Sequence, residues 1–286
     1  YRGHIRNWKQ LCEELGISVL TREEREKQII SKAYEKWGHD MANHIYGMFA
    51  FALDDNGKIF CMRDQFGTKP FYYYQTAKGN LLFGTTIRKI MEQDGFIKEV
   101  NTDMLQIYMS LTYVAGEDTF FKGVKKLMPG HWLEFENGKL TIERYWTPTF
   151  NPDNSKTLNE WADEIHSTVQ EVFKDVKEDD ETAESFLSGG VDSSYVLAMS
   201  DVKVTDSCGY DDERFDESGL AKKTADILGR ENNRCLITPE DYFNIVPYVM
   251  YNMEQPLGDA SAIAFAIACK ATAKHTKICY SGEGAD

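Results

Sequence analysis

Phe186-Leu187-Ser188-Gly189-Gly190-Val191-Asp192-Ser193-Ser194 is the stretch that decides how the second half of this chain folds. It reads as a short apolar strand entering a glycine turn, with a helix opening at Ser193-Ser194-Tyr195-Val196-Leu197-Ala198. Two adjacent glycines let the backbone turn sharply and carry its N–H groups close to a ligand. The helix start behind them adds unsatisfied donors at a positive dipole end. Hydroxyls of Ser188, Ser193 and Ser194 supply further donors, and Asp192 offers an oxygen to a hard cation such as Mg2+. No lysine sits in the loop, so it is not the Gly-Lys-Ser/Thr phosphate loop. An ordinary Gly-rich strand-to-helix turn is the alternative.

From Ser185 onward, strand and helix patterns alternate, which predicts a parallel sheet with helices on its faces. Strands are expected over 186–187, 202–210, 234–237 and 277–280, and helices over 193–199, 217–228, 239–253 and 261–275. Thr238 should cap the third of these helices, with Pro239 at its favoured first position and Pro247 kinking it. Ligands in open sheets of this kind bind at the carboxyl ends of strands. The loops after Leu187, Ser207 and Tyr280 should therefore converge on one crevice. The acidic run 177–184 reads as a solvated loop.

Upstream, Thr157 and Glu160 form a capping box that starts a helix with apolar positions from Leu158 to Val176. The Pro-, Asn- and Ser-rich stretch before it reads as a linker over 148–157, which separates a domain over 1–147 from one over 158–286. The first domain reads as mostly β with two helices. Trp8, Leu11, Cys12 and Leu15 keep a helical period that Gly16 ends; Ile29, Ile30, Ala33, Tyr34 and Trp37 make a second stripe that Gly38 ends. Asp54-Asp55-Asn56-Gly57 and Asn137-Gly138 are hairpin signals.

Composition narrows the function. A net charge of −14 over 286 residues argues against a nucleic-acid binder, which needs clustered Lys and Arg. No apolar run approaches the ~18 residues of a membrane span. The six cysteines show no Cys-x-x-Cys pairing, so free thiols of a reducing compartment are expected, and a cytoplasmic location with them. The chain opens on Tyr1 and stops on a motif at Asp286, and it reads as a fragment cut at both ends.

The stretch Ser188-Gly189-Gly190-Val191-Asp192-Ser193-Ser194 resembles the pyrophosphate loop of ATP pyrophosphatases, which adenylate a substrate with ATP. Ser281-Gly282-Glu283-Gly284-Ala285-Asp286 lies about 90 residues on and is similar to a second motif of one such family. Gly47-Met48-Phe49-Ala50-Phe51, the run Arg63-Asp64-Gln65-Phe66-Gly67-Thr68-Lys69-Pro70, Leu82-Phe83-Gly84 and Met128-Pro129-Gly130-His131 match the other half of that family in order. Together the chain resembles the glutamine-hydrolysing asparagine synthetases. The resemblance implies an αββα N-terminal-nucleophile glutaminase portion, then an α/β parallel-sheet ATP-pyrophosphatase domain. It implies ATP and Mg2+, with aspartate and glutamine or ammonia as small-molecule substrates; a homodimer is left open.

By the same resemblance, Leu187, Ser188, Gly189, Gly190, Asp192, Ser193, Ser194, Ser281 and Gly282 would hold the pyrophosphate end of ATP. Cys208 and Gly209 would hold adenine through main-chain groups. Asp192 and Asp286 would hold the metal. Asp259 would line the acceptor pocket within Glu254-Gln255-Pro256-Leu257-Gly258-Asp259-Ala260-Ser261, for which a structural turn is the alternative. Glu283 would act at the acyl-adenylate.

The glutaminase half departs from the family. Its nucleophile is an N-terminal cysteine, and no cysteine here takes that role. Its Tyr-Asn-Gly-Glu-Ile clamp reads Tyr1-Arg2-Gly3-His4-Ile5, an aspartate is replaced by Glu26, and Thr86 stands where a glutamate is usual. A histidine cannot replace the carboxylate that pairs with a substrate ammonium, so this chain is expected not to hydrolyse glutamine. Two alternatives follow: a β-lactam synthetase-like ligase with an inert glutaminase half, and a nucleotide-binding protein without turnover.

Overall fold

The computed structural model describes residues 1–18, 21–177 and 183–284 and divides into two compact units. The first comprises Tyr1–Phe150 together with Glu254–Leu257; the second comprises Asn151–Met253 and Gly258–Asp286.

In the first unit, β1 (Arg2–Ile5), β2 (Gly47–Asp55), β3 (Lys58–Arg63), β7 (His131–Glu136) and β8 (Lys139–Arg144) form one antiparallel sheet in that order. A second sheet runs β5 (Leu81–Gly84), β4 (Tyr72–Gln75), β6 (Lys125–Lys126). Asn56 and Gly57 (φ 53° and 90°), and Asn137 and Gly138 (φ 50° and 78°), take the left-handed conformations that the two hairpin turns require.

The layers follow from what each face buries. α1 (Trp8–Leu15) and α2 (Arg22–Trp37) pack Leu11, Ile29 and Ala33 against Phe49, Phe51 and Phe60 on one face of the larger sheet. Each of those buried rings contributes about 1.5–3 kcal/mol. The other face sets Ala50, Cys61 and Leu133 against Phe71 and Tyr73 of the smaller sheet. α3 (Ile87–Met91) covers the far side of that sheet through Ile87 and Ile90, and α4 (Met104–Leu111) follows it. Helix, sheet, sheet, helix: this is the expected αββα arrangement.

The run after β3 is a loop tied around Asp64, which is fully buried. Its carboxylate accepts from the N–H groups of Phe49 (3.1 Å), Phe66 (3.0 Å) and Thr68 (3.1 Å) and from the Thr68 hydroxyl (2.8 Å). Beside it the Arg63 guanidinium donates to the carbonyls of Lys69, Leu127 and Gly67. The motif is therefore structural.

In the second unit, α5 (Leu158–Lys177) starts at the expected box, Glu160 N–H on Thr157 Oγ1 and both Thr157 donors on Glu160 Oε2. β9 (Glu184–Phe186), β10 (Val204–Tyr210), β11 (Glu231–Ile237) and β12 (Cys279–Tyr280) form a parallel sheet ordered β11-β10-β9-β12. α6 (Val191–Met199) and α7 (Ser218–Ile227) share a core with Leu187 on one face. α8 (Pro239–Met253) packs on α9 (Ser261–Thr272), and α9 covers the opposite face, where Phe265 meets the Phe186 ring edge-on at 5.1 Å. Helices on both faces of a parallel sheet match the expected α/β class.

Three expectations need correction. Among the described residues the first unit carries α3 and α4 besides the two helices expected, both too short to show a sustained apolar period. Glu184 is no part of a solvated loop: it is the first residue of β9 and 8% exposed. Alternation along the strand puts it on the Phe186 face, under α9. Residues 178–182 of that acidic run lie outside the described residues. Ser207 likewise does not end its strand, because β10 continues to Tyr210 opposite Ile237 of β11.

Candidate active site

The turn after Leu187 is built as its residue types require. Gly189 sits at φ +88°, and a methyl group there would lie 2.8 Å from Leu220 Cβ on α7. α6 begins at Gly190 with no side chain capping it, so the N–H groups of its first turn are presented without a local acceptor. The serines shape the loop from within. Ser188 and Ser193 hydroxyls meet at 3.0 Å, Gly190 N–H donates to Ser188 Oγ at 3.2 Å, and Ser194 Oγ donates to the Gly190 carbonyl at 2.7 Å. Asp192 is exposed in the first turn of α6.

Two distant motifs meet here. A Cβ on Gly282 would come within 2.7 Å of Ser193 N, 3.0 Å of Asp192 C and 3.1 Å of Asp192 Cβ. Only a residue without a side chain lets the Ser281–Gly282 backbone approach so closely. Glu283 N–H donates to Ser281 Oγ at 3.1 Å, which turns the chain immediately afterward. The exposed Glu283 side chain then borders an open cavity of about 1190 Å3 along α8 and α9, with Asp259, Ser261, Asn244, Tyr248 and Phe265 among its walls. Glu283 and Asp259 thus share one cavity, and Gly282 ties it to the glycine turn. Asp286 lies outside the described residues.

Asp259 has a second duty. Its Oδ1 accepts from Ser261 N–H (2.9 Å) and Ser261 Oγ (2.7 Å) at the start of α9, and these bonds hold its carboxyl below the usual range. Its other oxygen is left for the cavity. Glu254 and Gln255, by contrast, belong to the first unit. Glu254 accepts from the N–H groups of Ile87 (2.7 Å) and Arg88 (3.0 Å), and Gln255 Oε1 accepts from Phe120 N–H (3.2 Å). For those two residues the structural turn is the better description.

Cys208 and Gly209 lie where β10 outruns its neighbour. The pairing with β9 stops at Asp206, whose carbonyl accepts from Leu187 N–H at 2.9 Å. Main-chain groups of a parallel strand point to one side at every second residue. Those of Cys208 therefore face the side on which β9 has ended. Its thiol is pushed up to about 11, first by burial, and stays protonated as packing. Sequence patterns gave no sign of Arg234, which reaches across beneath Gly209 to pair with Asp216 at 2.7 Å.

In the first unit, the altered clamp closes on itself. Glu26 is 1% exposed, and its Oε1 meets His4 Nδ1 at 3.1 Å, Ile5 N–H at 3.2 Å and Arg22 Nε at 3.6 Å. Burial opposes the charged form, but hydrogen bonds from His4, Tyr1 and Ile5 N–H, with the Arg22 charge, hold the carboxyl below its usual value. The carboxylate is consumed by protein groups.

The family profile described as "Glutamine amidotransferase domain" matches residues 1–146, and that described as "Asparagine synthase" matches residues 164–286. Asparagine synthetase [glutamine-hydrolyzing] 1 of Bacillus subtilis (strain 168) is 32% identical over all of this chain and 46% of its own length. A putative asparagine synthetase of Mycobacterium bovis is 28% identical, again over all of this chain and 46% of that protein. Asparagine synthetase [glutamine-hydrolyzing] 3 of Bacillus subtilis is 28% identical over the whole chain and 50% of its length. The chain spans about half the length of these relatives. An αββα unit with an amidotransferase profile precedes a parallel-sheet unit with a glycine turn at its strand end, and the chain belongs to the glutamine-hydrolysing asparagine synthetase family.

Proposed function

We infer that the chain carries the adenylating part of an enzyme that converts aspartate to asparagine with ATP. The observation that carries this reading is the approach of Gly282 to the Ser193 amide beside the uncapped start of α6. The donor set there fits a pyrophosphate: main-chain amides at a helix N-terminus and no side chain in the way. The main-chain groups of Cys208, with Gly209 next to it, would take adenine along the free edge of β10. Among the described residues Asp192 is the oxygen ligand offered to Mg2+, which supplies positive charge where the pyrophosphate leaves. No membrane-crossing helix is present among the described residues.

In the reaction, an aspartate carboxylate oxygen held in the cavity attacks the α-phosphorus of ATP, and pyrophosphate departs. The loop amides stabilise the charge that develops on it. Ammonia then attacks the acyl carbon of the adenylate, AMP leaves, and Glu283 at the cavity rim accepts the surplus proton. With Glu26 consumed by His4, Tyr1 and Arg22, the nitrogen is expected to come from ammonia rather than from glutamine bound in the first unit. Pyrophosphate release tests this: it should require aspartate, and ammonium but not glutamine should give asparagine. Release that ignores aspartate but follows another carboxylate would replace the assignment with a different adenylating ligase.

A further inference from the structure

On the face of the parallel sheet covered by α9, three groups outside the proposed ATP site meet: Glu184 at the start of β9, Asp206 in β10 and His275 just past α9. Their ligand atoms all lie within 4.8 Å of one another. Both carboxylates are buried, at 8% and 7% exposure, and His275 is on the surface. Asp206 is fixed from both sides. Its Oδ2 accepts from the Thr272 hydroxyl at 2.9 Å and its Oδ1 from Asn233 Nδ2 at 3.3 Å. Glu184 differs. Its Oε2 is buried and has no hydrogen-bond partner among the described residues, and it faces His275 Nδ1 at 4.0 Å. A cavity of about 200 Å3 reaches Asp206 and His275 from the surface.

Two buried carboxylates side by side, one with a bare oxygen, call for either a shared proton or a cation. The imidazole at the cluster's open edge favours the cation. We propose that Glu184, Asp206 and His275 form a second divalent-cation site of the manganese class, with the remaining coordination positions taken by water. Two carboxylates and one imidazole suit Mn2+ better than a thiol-seeking ion, and three protein ligands leave its coordination open on the cavity side. The hydrogen bonds from Thr272 and Asn233 are outer contacts of the kind that orient a ligating carboxylate. The position ties β9 to β10 and to the end of α9, directly behind the strand that feeds Leu187 into the glycine turn.

The test is titration of the chain with Mn2+ alone, without nucleotide, following the loss of the free-ion electron paramagnetic resonance signal. One equivalent should bind. His275→Gln, at an exposed position that leaves the core intact, should weaken binding at least ~10-fold, and Asp206→Asn should abolish it. Asp192→Ala should bind Mn2+ as the parent does, which separates this site from the proposed ATP site. Absence of Mn2+ uptake by the parent, or uptake unchanged in both His275→Gln and Asp206→Asn, overturns the proposal.

Discussion

Gly282 lies so close to Ser193 that a single methyl group on it would stand 2.7 Å from the Ser193 nitrogen. The two residues are nearly 90 positions apart, and their approach joins the glycine turn to the cavity bordered by Glu283. The atoms that a Cβ would strike belong mainly to backbone, so they cannot swing away. Gly282→Ala is expected to push the Ser281–Gly282 segment off the α6 start. Mg-ATP affinity, measured calorimetrically, should fall at least ~10-fold while the thermal midpoint moves by only a few degrees, about the effect of 1 kcal/mol or less. Unchanged affinity would show that the contact is incidental to nucleotide binding.

Asp64 is expected to be the most sensitive charged position in the first unit. Asp64→Ala leaves the N–H groups of Phe49, Phe66 and Thr68 without their acceptor, the first of these bonds buried and the other two part-buried. Each orphaned donor costs about 1–3 kcal/mol, so destabilisation on the order of 3–5 kcal/mol should appear in urea unfolding. Asp64→Asn keeps one acceptor oxygen and should fall between the parent and the alanine variant. A loss below about 1 kcal/mol for Asp64→Ala would refute the hub.

Glu26 gives a pH signature. Its folded carboxyl is held below the value of 4.5 that it has when free. A group so depressed contributes stability that is fully present above pH 4.5 and fades as the pH falls through the lowered folded value. Glu26→Gln should therefore lose about 1–3 kcal/mol at neutral pH, with the gap to the parent narrowing below pH 4.5. Thermal unfolding from pH 3 to pH 7 checks this; a gap that widens on acidification would mean that Glu26 is not charged in the fold.

Much of this architecture is legible in short stretches. Asn56-Gly57 and Asn137-Gly138 announce their hairpins because few other residues adopt positive φ cheaply. Thr157 with Glu160, and Thr238 with Pro239, announce helix starts because capping is local chemistry; in the fold Thr238 closes its cap with Asp241. Residues whose partners are far away stay silent. Glu184 looks like the tail of a charged run until β10 and α9 enclose it. Glu254 looks like part of a substrate loop, yet its carboxylate serves the N–H groups at the start of α3. The Arg234–Asp216 pair and the His4–Glu26 contact leave no periodic trace either. The two glycines at 189 and 190 mark the site, but the need for glycine at 282 appears only once Ser193 is beside it.

The central claim is that the Ser188–Ser194 turn and Gly282 hold the pyrophosphate end of ATP with help from Asp192. Calorimetric titration of Mg-ATP into the chain and its Asp192→Ala variant tests it most directly. One site in the parent, weakened at least ~10-fold in a variant with the same thermal midpoint, is the expected result. A tenfold loss of affinity corresponds to about 1.4 kcal/mol of binding free energy. Absence of binding in the parent, or equal affinity in both proteins, would contradict the claim.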